Sequence, residues 1–245
     1  MSRPTRILVS NPNRIEACTR LIDEQARIAA GPDIEILTVQ PHWGPVELAS
    51  ELEATVSAVG VLDAIRSTDV TYDAVVLAGF GEPGTEAVRR MVDCPVVDIT
   101  EAAPMTAMLL GRSFGIVTST HAAVPLVADR LRQLGLDSRC AGIDAVGLGV
   151  PELVGDPAAA LRAIHGCAQE VLTRTRCDTI VLGCAGMAGF ADELAKLLMV
   201  PVVDPLRAAV TGVQQLLSTV PTIPVDPYRS ELTAHWPFAR SGRTD

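Results

Sequence analysis

The chain has no CxxC pair, no run of basic residues, no GK[ST] loop and no apolar stretch near the ~20 residues that span a bilayer. Each absence excludes something. The six cysteines are scattered, so neither a disulfide framework nor a zinc site is expected, and no His/Asp/Glu spacing points to another metal. A formal net charge of −9 without basic clusters argues against nucleic acid or an anionic membrane as partner. The missing GK[ST] excludes a Walker phosphate loop. The start, MSRPTRILVSNPN, lacks the apolar core of a signal peptide, so a cytoplasmic protein is expected. What is present, 48% apolar and 20% charged residues over 245 positions, is the composition of an ordinary globular protein with ample core.

The chain also echoes itself. DAVVLAGFG at 73–81 superposes on DTIVLGCAG at 178–186, and with one inserted residue PVVD at 95–98 falls on PVVD at 201–204. RILVSN at 6–11 resembles FGIVTS at 114–119. Such self-similarity marks a duplicated βαβ unit. It sets residue 79 opposite residue 184, each at a strand end. One position is Cys184 and the other is Gly79.

Short β-rich apolar runs alternate with helical patterns, which predicts parallel α/β structure. Strands are expected near 6–10, 33–39, 73–78, 95–98, 114–118, 139–144, 178–183 and 201–204. Helices are expected near 13–29, 49–67, 84–92, 101–110, 122–134, 156–174, 189–199 and 205–217. Two pseudosymmetric α/β lobes follow, 1–98 plus 205–218 and 99–204, with the site between them. The proline-rich remainder, 219–245, reads as an irregular tail.

In open parallel sheets, ligands bind beyond the carboxyl ends of the strands. Gly79, Phe80 and Gly81 on one side, and Ala185 and Gly186 on the other, offer close backbone approach. A helix expected just after each loop would add partial positive charge for a carboxylate or a developing enolate. Asn11, Thr118, Ser119 and Thr120, with Ser10, supply neutral polar groups from two further strand ends. Cys184, between glycines, is the candidate acid or base. The other cysteines read as small apolar side chains, and Cys94 sits at the wrong end of its strand. Glu82 adjoins Gly79 and is either a second proton carrier or a helix-start residue. His121 follows a strand end, where a surface role competes with ligand contact. GFGEPG at 79–84 is formally GxGxxG with Asp98 downstream, which keeps a nicotinamide-dependent dehydrogenase open. It sits on the third strand, however, and its internal twin keeps only part of the pattern.

VLGCAGMA at 181–188, NPN at 11–13, GFGEPG at 79–84, PVVDITEAA at 95–103 and FGIVTS at 114–119 resemble the aspartate/glutamate/hydantoin racemase superfamily, hydantoin racemase branch. The resemblance implies a small-molecule substrate, carboxylate or cyclic ureide, between two α/β domains, no cofactor, and assembly with further copies. It implies two flanking cysteines, of which Cys184 matches the second while Gly79 stands at the first. Glycine there with a single cysteine is similar to arylmalonate decarboxylase. VELAS at 46–50 departs from the usual polar, substrate-facing stretch. Three functions follow: a racemase or epimerase α to a carbonyl, a one-cysteine decarboxylase, or a ligand-binding relative without catalysis.

Overall fold

In a computed structural model, residues 3–48, 50–81 and 84–220 are described, and Glu82 and most of the predicted tail lie outside them. The first half runs β1 (Thr5–Ser10), α1 (Glu16–Ala30), β2 (Ile34–Val39), α2 (Glu51–Arg66), β3 (Ala74–Leu77), α3 (Thr85–Met91) and β4 (Val96–Asp98). The second runs α4 (Ile99–Leu110), β5 (Phe114–Thr118), α5 (Ala123–Leu134), β6 (Cys140–Ala145), α6 (Val150–Gly155), α7 (Pro157–Thr175), β7 (Thr179–Gly183), α8 (Ala191–Leu198) and β8 (Val202–Val203), before α9 (Pro205–Thr219) closes the described chain.

The strands form two four-stranded parallel sheets, ordered β2-β1-β3-β4 and β6-β5-β7-β8. The identical order is the duplication seen in three dimensions. Val75, Val76 and Leu77, like Ile180, Val181 and Leu182, are wholly buried, as strands covered by helices on both faces must be.

Paired aspartates repeat in both halves. Asp73 accepts the Arg6 backbone N–H at 2.8 Å, and Asp178 accepts those of Arg112 and Ser113 at 2.8 and 3.1 Å. Asp98 ends β4, Asp204 directly follows β8, and each caps the next helix. Asp98 Oδ1 accepts Thr100 N at 2.6 Å, and Asp204 Oδ1 accepts Leu206 N and Arg207 N at 3.0 Å. A cap of this kind stabilises a helix by about 1 kcal/mol. The free oxygens reach back to the neighbouring loop: Asp98 Oδ2 accepts the Thr85 hydroxyl at 2.8 Å, and Asp204 Oδ2 accepts Gly189 N at 2.7 Å. Both strand-end loops are thereby clamped to the following helix.

The helices that follow these caps cross over. α4 packs on β7, β8 and α5, whereas α9 packs on α1, β3 and β4. Leu206, Ala209, Val210 and Val213 of α9 share one core with Ile7, Val9, Ile22 and Val76. The core of the first sheet is therefore completed by the end of the described chain.

Candidate active site

The carboxyl ends of β3, β5 and β7 converge on a cavity of about 70 Å³. Gly79, Phe80 and Gly81 line it from the first half, and Thr118, Ser119, Cys184, Ala185 and Gly186 from the second. Position 79 and position 184 thus share one enclosure. Gly81 has φ +85°, a left-handed conformation that glycine takes without strain. Its N–H donates to Thr100 Oγ1 at 2.8 Å, and that hydroxyl donates to the Gly79 carbonyl at 3.2 Å. The strand end holding Gly79 is fixed from below by a residue of α4.

Cys184 is held between two cores. Its side chain packs against the second-sheet cluster, while the adjacent Ala185 is buried in the cluster of the first. Gly183 before it has no room for a side chain: an added Cβ would lie 2.7 Å from Ile116 Cγ2 and 3.1 Å from the Val117 carbonyl. Burial pushes the Cys184 thiol above its ordinary pKa, hydrogen bonds from the Gly186 N–H and the Ser119 hydroxyl pull it down, and the charge of Glu47 pushes it up again. Upward shifts prevail, so the group is a thiol at neutral pH. It is suited first to giving a proton. The expected helix dipole at this cysteine is corrected by the structure: a single 3-10 turn, Ala185–Met187, follows it, and α8 starts only at Ala191.

Asn11 and Thr120 do not line the cavity. Asn11 is fully buried and braces the turn before α1, its amide donating to Asn13 Oδ1 at 3.1 Å and Thr19 Oγ1 at 2.8 Å. Thr120 instead lies in the turn that leads into α5, its carbonyl accepting Ala123 N at 3.1 Å. Thr118 lines the site, yet its hydroxyl proton is committed to the Gly183 carbonyl at 2.8 Å. It fastens β5 to β7 rather than donating to a ligand. Ser10 is enclosed in the sheet and has no hydrogen-bond partner for its hydroxyl among the described residues.

Two titratable groups enter that sequence reading had not named as site residues. Cys18, read as a core residue, is 1% exposed but also borders the cavity. Burial, the neighbouring Cys184 and an opposing hydrogen bond from the Asn13 amide leave its thiol pushed up to about 12. It stays protonated. Glu47, from the loop after β2, lines the cavity and accepts Val150 N at 2.8 Å. Val150 opens α6, a short helix absent from the sequence reading, although Pro151 and the Glu152 carboxylate receiving Gly149 N at 2.8 Å mark its start. Among the described residues no group of three His, Cys, Asp or Glu side chains is placed to hold a metal ion, and no helix is long and apolar enough to cross a membrane.

The profile of the Asp/Glu/hydantoin racemase family matches residues 7–213. The chain belongs to this family. Among curated racemases, the hydantoin racemase of Pseudomonas sp. (strain NS671) is 34% identical over 206 residues, covering 84% of this chain and 83% of that protein. The solved structure of allantoin racemase from Pseudomonas fluorescens is 39% identical, superposes with a TM-score of 0.88, and covers 92% of this chain and 98% of that one. Unliganded arylmalonate decarboxylase superposes with a TM-score of 0.57 at 19% identity, covering 87% of this chain and 92% of that one, a likeness of fold alone. That allantoin racemase shares the α/β fold seen here, and the strand-end cavity lies within the residues the family profile matches.

Proposed function

We infer that the chain is a cofactor-independent racemase or epimerase acting at the carbon α to a carbonyl of a hydantoin-like or amino-acid substrate, with Cys184 as proton carrier. The observation that carries this reading is the placement of Cys184, beside Gly186 and Ser119, in one cavity with Gly79 at the ends of the strands. The thiol gives its proton to one face of the planar enolate, and as thiolate it removes the α-proton from that face in the reverse direction. Gly79 has no side chain for the opposite face, so another group or water completes the transfer there. Relatives at 34–39% identity are racemases, which favours inversion over decarboxylation.

The test is hydrogen exchange in D2O with single enantiomers of 5-substituted hydantoins, Asp and Glu, followed by NMR and chiral chromatography. Racemisation with α-deuteration is expected for at least one of them. Cys184→Ala should lower the rate by about 10²-fold or more; an unchanged rate sinks the mechanism. Gly79→Cys, with unchanged circular dichroism, should increase racemisation, because it places a second thiol in the same cavity.

A further inference from the structure

Among the described residues that line the cavity, Glu47 is the sole charged side chain, and none is Lys, Arg or His. Its position is well defined for an acid on a loop. Oε1 accepts the Val150 N–H at 2.8 Å, a contact between segments 103 residues apart. A Cβ added at Gly149 would lie 3.0 Å from Oε1 and 3.5 Å from Oε2, so the carboxylate rests against the 149–150 backbone. Oε2 accepts no hydrogen bond from a described residue. Its charge is felt at Cys184, whose thiol it helps keep protonated.

We propose that Glu47 sets substrate charge, excluding carboxylates and admitting a neutral ring whose N–H donates to Oε2. This rests on the functional reading above and chooses between its two substrate classes, in favour of a cyclic ureide. A carboxylate entering the cavity would lose hydration, find no cation among the described lining residues, and meet a like charge at short range. A ureide N–H meets none of these costs and gains a charge-assisted hydrogen bond.

Binding measured by calorimetry separates the two without requiring turnover. The probes are 5-methylhydantoin and hydantoin-5-acetate, which differ by one carboxylate. The wild-type chain should bind the neutral probe at least about tenfold more tightly. Glu47→Gln keeps an acceptor for Val150 N and removes only the charge, so it should shrink that ratio roughly tenfold. Glu51→Gln, which removes an exposed charge on α2, should leave the ratio alone. An unchanged ratio in a folded Glu47→Gln protein, or a wild-type preference for the anion, overturns the proposal. If neither probe binds, the functional reading falls with it. If the preference and its loss in Glu47→Gln are seen but no substrate exchanges its α-proton, the charge filter stands and the racemase chemistry alone is lost.

Discussion

At the residue scale, the reactivity of Cys184 is governed by enclosure. Alkylation needs the thiolate, and burial holds the proton on. Its rate with iodoacetamide should therefore climb with pH through the neutral range and still be rising at about pH 9. Peptide mass spectrometry follows this directly, with Cys18, 1% exposed and pushed up to about 12, as an internal control that stays unmodified. Glu47→Gln should react faster than wild type at each pH, since one upward push is gone. A rate that levels off below pH 8 would contradict the enclosure. Cys184 itself was legible in the sequence because the repeat isolates it between glycines at a strand end. Glu47 was not, because an acid in an irregular loop carries no periodic signal, and its partner at Val150 lies in the other half of the molecule.

At the element scale, short apolar runs located every strand to within one or two residues, most sharply the central strands, where burial on both faces leaves little freedom of composition. What escaped were the pieces too short for periodicity: the six residues of α6 and the 3-10 turn after Cys184. The capping aspartates carry a testable consequence. Burial pushes Asp98 up to about 6, against hydrogen bonds from Thr100 and Thr85, with Glu101 adding to the rise. Arg130 stands 3.4 Å away, but Glu101 and Glu86 share its charge. A carboxyl raised above its unfolded value of about 3.9 binds its proton more tightly when folded. Its favourable contribution is complete below about pH 4 and is lost as pH rises through about 6. This one group should lower stability by about 2–3 kcal/mol between pH 4 and 7. Asp98→Asn retains a capping oxygen and cannot titrate, so urea unfolding at pH 5 and pH 7 should differ less than in wild type. An equal difference would place the titration elsewhere.

At the scale of the whole molecule, the two sheets are joined by charge as well as by crossed helices. Arg130 on α5 is 8% exposed at its side chain and ion-pairs with Asp98 at the end of β4 and Glu101 on α4, at 3.4 and 3.2 Å. Glu101 is further paired with Arg89 of α3 at 2.5 Å. Arg130→Met removes the cation that these buried acids share. A loss of about 3–5 kcal/mol in urea unfolding is expected. In the Asp98→Asn background the loss should be smaller, since the two residues are coupled. Additive losses would show that the pair does not act as a unit.

The crossing of α4 and α9 also fixes an order of events during synthesis. Most of what packs around the second sheet, from α4 to β8, is contiguous in the chain, and α9 adds Ala208 to its core. The first sheet is made earlier but lacks the face supplied by Leu206, Ala209, Val210 and Val213 until α9 is translated. A chain leaving the ribosome amino end first therefore has most of its later core in hand before the first sheet gains its full cover. Until then β1 and β3, which lead to Ser10 and Gly79, wait with one side open, and chaperones have that interval in which to shield them.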